Sequence, residues 1–133
     1  LPNDLIGLIS LDISNNKISN FPTTITELKK LNNIHASNNN ISSMVEICEL
    51  PNLKLLILDS NKLDIIPTSI SNLTCLISLS LRDNYVNHIP DELGTLTQLR
   101  TLNISNNNNT QIPLSILQIP DIQIKMTNFT YTS

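Results

Sequence analysis

The chain has 133 residues, 40% of them hydrophobic, 14% charged and only 3% aromatic, and a net charge of −3. That length suits one domain, the acidic balance argues against nucleic acid as a partner, and no apolar run approaches the length of a membrane span. Two glycines and four aromatic residues leave little material for a phosphate-binding loop or an active-site lid.

In chain order, Leu1, Pro2 and Leu5 look like the tail of a preceding unit, joining the next one three residues early. The first full unit places Leu8, Leu11, Ile13, Asn16 and Ile18 in the pattern LxxLxLxxNx(L/I/V). The second places Leu31, Ile34, Ala36, Asn39 and Ile41, and the third Leu53, Leu56, Leu58, Asn61 and Leu63. The fourth has Leu76, Leu79, Leu81, Asn84 and Val86; the fifth has Leu99, Leu102, Ile104 and Asn107, with Asn109 replacing the last apolar residue. Successive first leucines stand 23, 22, 23 and 23 residues apart. Residues 121 to 133 keep the alternation at Ile122, Ile124 and Met126 but carry Phe129 at the asparagine position. A fixed period of this size marks stacked repeats, whose stability is a sum over neighbouring units.

The pattern has a direct physical reading. The last two apolar residues of LxxLxL are two apart, so on an extended strand they point to the same face. The asparagine column, Asn16, Asn39, Asn61, Asn84 and Asn107, is expected to be buried and to bond backbone groups of its own and the neighbouring turn. Four units add a second half: Phe21, Pro22, Ile25, Leu28; Ile66, Pro67, Ile70, Leu73; Ile89, Pro90, Leu93, Leu96; and Ile112, Pro113, Ile116, Ile119. Proline turns the chain out of the strand, and apolar residues three apart then suit a short helical or 3₁₀ turn. In the second unit Met44 and Val45 stand where Phe21 and Pro22 stand in the first, so its outer segment should pack differently.

These copies resemble the leucine-rich repeat family from Leu8 to about Pro120, and the (I/F)PxxIxxL half is similar to the intracellular Ras-associated and scaffold subtype. The resemblance implies an α/β fold, a right-handed solenoid with a parallel concave sheet and short helical or 3₁₀ segments on the convex side. Residues 1–133 are expected to form a single domain cut from a longer protein. The implied function is a protein–protein interaction module in intracellular signalling or scaffolding. The alternatives are the recognition arm of a larger signalling enzyme (kinase, phosphatase or cyclase) and extracellular adhesion or recognition. No cofactor is implied.

Parallel stacking about 4.8 Å apart turns the outward positions into columns. The third position gives Ser10, Asn33, Leu55, Ser78, Thr101 and Gln123; the fifth gives Asp12, His35, Ile57, Ser80, Asn103 and Lys125; the seventh gives Ser14, Ser37, Asp59, Arg82, Ser105 and Thr127. Nearly all are small or polar. Leu55 and Ile57 are the exceptions, and an apolar pair rimmed by His35, Asp59, Arg82, Tyr85 and Lys54 has the composition of an interface centre. On the strand side Lys17, Lys54, Lys62, Arg82, Arg100 and Lys125 stand against Asp12, Asp59 and Asp83, whereas the rest of the chain has two lysines against eight acids. A face more basic than its back would steer an acidic protein partner. The open ends of the stack predict self-association.

Cys48 and Cys75 are isolated, without the terminal cysteine clusters of secreted members of the family, which favours the cytoplasm. The sequons at Asn40, Asn72, Asn103, Asn108 and Asn128 are about as many as chance supplies from 20 asparagines. Asp12, His35 and the serines Ser10, Ser14 and Ser37 share a neighbourhood, but an open, wet sheet lacks the oriented base and oxyanion hole of a catalytic triad. Neither a catalytic site nor a metal site is expected.

Overall fold

The computed structural model describes residues 3–108, 111–127 and 131–132. Leu1, Pro2, Asn109, Asn128 and Phe129 lie outside the described residues. Among the described residues the strands are β1 (Ser10–Asp12), β2 (Asn33–His35), β3 (Leu55–Ile57), β4 (Ser78–Ser80), β5 (Thr101–Asn103), β6 (Ile112–Pro113), β7 (Gln123–Lys125) and β8 (Tyr131–Thr132). Six of them form one open parallel sheet in the order β1-β2-β3-β4-β5-β7. Its register joins Ser10, Asn33, Leu55, Ser78, Thr101 and Gln123 in one row and Asp12, His35, Ile57, Ser80, Asn103 and Lys125 in another. The row between them, Leu11, Ile34, Leu56, Leu79, Leu102 and Ile124, turns inward, and its four middle members are buried.

On the opposite, convex side five 3₁₀ turns run at Asn3–Gly7, Thr23–Glu27, Glu46–Glu49, Thr68–Asn72 and Asp91–Thr95, and a short α-helix, α1 (Leu114–Leu117), takes the sixth place. Pro22, Pro67, Pro90 and Pro113 precede four of these segments in extended conformation, with φ of −64°, −70°, −71° and −68°. The second repeat departs as expected. Val45 already has helical angles and is exposed, the turn shortens to four residues, and Met44 is buried in the place of Phe21. The core lies between sheet and turns and is almost wholly leucine and isoleucine.

Four asparagines of the column tie their own turn to the one before it. Asn61 Nδ2 donates to Leu58 O at 3.0 Å and Asp59 O at 3.2 Å in its own turn, and to Ala36 O of the previous turn at 3.0 Å. Its Oδ1 accepts the Ile41 N–H at 3.0 Å. Asn39, Asn84 and Asn107 repeat this scheme, with their Oδ1 atoms taking the N–H groups of Ile18, Leu63 and Val86. Asn39, Asn61 and Asn84 are buried and Asn107 is half-buried. Asn16 differs from the expectation of a buried column. It is exposed and bonds only Ile13 O and Ser14 O of its own turn, because β1 is the edge of the sheet among the described residues.

The residue before each asparagine turns the chain through the left-handed region: Asn15, Asn38, Ser60, Asp83 and Asn106 have φ between 55° and 61°. Asn and Asp tolerate this region because their short polar side chains bond locally. Here those bonds run along the stack, from Asn38 Nδ2 to Asn15 Oδ1 at 2.9 Å and from Asn106 Nδ2 to Asp83 Oδ1 at 2.8 Å. Beside β1, an apolar cavity of about 550 Å³ opens among Leu5, Leu8, Leu11, Ile13, Phe21 and Ile25.

Candidate protein-binding surface on the concave face

Every residue singled out for binding lies on or beside the sheet, but not all of them are equally available. Leu55 and Ile57 occupy the central outward positions of β3 and are half-buried rather than exposed. The difference has a plain cause: in a parallel sheet each outward side chain stands about 4.8 Å from its neighbours in the row. Here those neighbours are Asn33 and Ser78 for Leu55, and His35 and Ser80 for Ile57. The pair forms a low ridge. His35 beside it is half-buried, while Lys54 just before β3 is exposed.

Past the strand ends, Asp59 is committed to the fold. Its Oδ1 accepts the Ser80 hydroxyl at 2.6 Å and the Arg82 backbone N–H at 2.9 Å, so it pins the third turn to the fourth. Arg82 is exposed and pairs sideways with Asp83 at 3.3 Å. Tyr85 is 54% exposed one residue beyond Asn84 and presents most of its ring to solvent. Asp83 is used as well, accepting from Arg82 and Asn106.

Asp12 and His35 face each other across the β1–β2 register, and no hydrogen bond joins them among the described residues. Asp12 instead accepts the Ser14 N–H at 3.0 Å. That backbone bond, then the Ser14 hydroxyl and the His35 charge, hold its carboxyl below the ordinary value of 3.8. Among the described residues no group of three His, Cys, Asp or Glu side chains could hold a metal ion. Cys48 and Cys75 are both free thiols, and burial pushes the Cys48 thiol up.

Two features of the face are missing from the set chosen on sequence. Ile9 and Ile77, in the position just before the outward strand residues, are 55% and 42% exposed at the margin of the sheet. The signal for them was the mixed character of their column, which sets Ile9, Ile77 and Ile122 among Asn32, Lys54 and Arg100. The second feature is a hollow of about 300 Å³ over β4, β5 and β7, lined by Ser78, Ser80, Thr101, Asn103, Gln123 and Lys125. It lies where small side chains follow the Leu55–Ile57 ridge.

A family model described as a leucine-rich repeat region matches residues 3–118. The chain belongs to the leucine-rich repeat family. Leucine-rich repeat folds serve as protein–protein interaction modules and are in general not catalytic themselves. A solved leucine-rich repeat protein of Leptospira interrogans is 31% identical with a TM-score of 0.85, covering 98% of this chain and 34% of its own. This leucine-rich repeat chain thus spans about a third of the length of that relative. The plant peptide hormone receptor RGFR1, solved in complex with RGF2, is 28% identical over 94% of this chain and 23% of its own, with a TM-score of 0.74. The ectodomain of the receptor kinase SOBIR1 from Arabidopsis thaliana shares the fold at 22% identity and a TM-score of 0.76, covering 95% of this chain and 72% of its own. No curated protein matches. No helix among the described residues is long and apolar enough to cross a membrane.

Proposed function

We propose that the concave face binds a protein partner centred on the Leu55–Ile57 ridge, with Lys54, Arg82 and His35 orienting it and Tyr85 at the rim. The observation that carries this reading is the contrast within the rows: large aliphatic side chains fill both central outward positions of β3, where β2 has Asn33 and His35 and β4 has Ser78 and Ser80. Most of each residue is already covered, so full burial adds under about 1 kcal/mol each, below the usual range for a core residue. Specificity then depends on the charged rim. Asp59 acts from within, by holding Ser80 and the Arg82 turn in place. On the strand side six basic residues stand against Asp12, Asp59 and Asp83, with Lys17, Lys54 and Lys62 exposed, and this excess favours an acidic partner.

The single domain is read as an intracellular signalling or scaffolding module within a longer protein. Its two thiols are unpaired, which fits a reducing compartment. A second reading, extracellular peptide recognition, is favoured by the similarity to the peptide hormone receptor. Fractionation of cells producing the full-length parent protein separates the two. The edge that β1 forms among the described residues and the apolar cavity beside it favour self-association, to be read by sedimentation at several concentrations.

The test of the ridge uses substitutions the fold already tolerates one strand away. A Leu55→Ser, Ile57→Ser variant copies Ser78 and Ser80 of β4. It should keep a cooperative thermal transition and lose the partners that wild type recovers from lysate. Recovery of the same partners by the folded variant refutes the ridge as the binding centre.

A further inference from the structure

We infer that the hollow over β4, β5 and β7 is a receptor for a carboxylate group carried by the peptide or protein partner. This deepens the reading of the concave face as a recognition surface, yet rests on residues other than the ridge.

The argument is an account of hydrogen-bonding capacity. Thr101 Oγ1 donates to Ser78 Oγ at 2.7 Å, so the Ser78 hydroxyl proton remains to be given away. Asn103 Oδ1 is occupied by the Ser105 N–H at 3.0 Å, which leaves its Nδ2 as a donor of two protons. Lys125 and Gln123 are exposed on β7, and their side chains have no partner among the described residues. Ser80, by contrast, spends its proton on Asp59 at 2.6 Å, an acid that stands outside the lining. What the hollow offers is therefore biased toward donors, and its one charged lining residue is a lysine. Ionised acceptors make the stronger hydrogen bonds with such donors. At about 300 Å³ the hollow reaches the lower end of the usual size range for ligand pockets. A carboxylate with the first carbons of its stem fits that description, whether it comes from an Asp or Glu side chain or from a chain end.

The experiment titrates the ¹⁵N-labelled protein with three small probes while amide shifts are followed by NMR. N-acetylglutamate α-amide supplies a side-chain carboxylate, N-acetylalanine a chain-end carboxylate, and N-acetylglutamine α-amide the neutral counterpart. Saturable shifts at Thr101–Asn103 and Gln123–Lys125 are expected with an acidic probe and not with the neutral one, and the acidic probe that binds identifies the source. Lys125→Gln should weaken binding by about tenfold, as loss of one charge-assisted bond does. Asn103→Asp should abolish it by turning the donor into an acceptor. That variant keeps the fold, because Asp12 occupies the same row and makes the same bond, its Oδ1 accepting the Ser14 N–H at 3.0 Å. Absence of saturable shifts at these residues, an equal response to the neutral probe, or undiminished binding by the folded Asn103→Asp variant overturns the inference. None of these results touches the ridge, whose own double-serine variant fails or succeeds on partner capture.

Discussion

Replacing Asn61 by alanine should be costly in a way that its surface-like chemistry does not suggest. Three carbonyls receive its Nδ2, but each keeps another donor: Ala36 O has Asn39 Nδ2 at 3.1 Å, Leu58 O has Asn84 Nδ2 at 2.9 Å, and Asp59 O has the Asn38 N–H at 2.9 Å. The Ile41 N–H is different. Asn61 Oδ1 is the only acceptor it has among the described residues, and the site is buried. Stranding one buried amide costs roughly 1–3 kcal/mol, and the lost net benefit of the remaining bonds raises the total to roughly 2–4 kcal/mol. Asn16 supplies the internal control, since it is exposed and leaves Ile13 O still bonded to Asn39 Nδ2 at 3.0 Å. Asn16→Ala should cost under about 1 kcal/mol. Urea denaturation of both variants and wild type, followed by far-UV circular dichroism with the slope compared, measures the difference. Equal losses for the two alanine variants refute the reasoning, because they would mean that the reach to the previous turn adds nothing.

Three further outcomes follow from local geometry. A Cβ at Gly94 would meet Ser115 Cβ at 2.6 Å and the Ser115 backbone carbon at 2.9 Å. Gly94→Ala should therefore destabilise by about 1–3 kcal/mol through overpacking, with only partial recovery on adding Ser115→Gly; no loss in a thermal melt refutes the contact. Ser60, at φ 55°, is the one serine in a row of left-handed Asn and Asp residues, so Ser60→Asn should stabilise by about 0.5–1 kcal/mol in the same melt. Asp12 has its folded pKa lowered by Ser14, so the unfolded chain binds its proton first as the pH falls. Its contribution is fully present above the ordinary 3.8 and is lost below it, as the pH falls through the folded value. Asp12→Asn should remove that part of the acid dependence of stability, and an unchanged profile refutes the assignment.

What could be read from the sequence was whatever depends on periodicity. The alternation in LxxLxL assigned Leu56, Leu79 and Leu102 to the core and listed the outward rows in the register that the strands adopt, because a strand has only two faces. Contacts between neighbouring turns were harder to see. Leu55 and Ile57 are half-buried by Asn33, His35, Ser78 and Ser80, each about one repeat away in the chain. Asp59 looked like a rim charge and is in fact a bracket between turns, since its partners Ser80 and Arg82 are 21 and 23 residues on. The hollow needs the small outward residues of two adjacent turns beside the longer Gln123 and Lys125 of the next. The two-residue pairing of β6 with β8, joining Ile112 to Tyr131, carries no alternation long enough to be recognised. Asn16 could not be told apart from Asn39 by its motif, because burial there depends on what lies against the turn.

The asparagine scheme has a consequence for how such a molecule can change. Among the described residues every side-chain bond that Asn39, Asn61, Asn84 and Asn107 make goes to a main-chain N–H or C=O, never to another side chain. Main-chain atoms are the same in every turn. A turn copied or deleted by recombination therefore finds its asparagine clasp ready on both neighbours without any compensating mutation, while outward residues that bond no neighbouring turn, such as Leu55 and Ile57, remain free to vary, and Ser78 and Ser80, bonded to Thr101 and Asp59, do not. The joinery and the recognition surface are inherited separately, so the length of the stack and the chemistry it displays can evolve at independent rates.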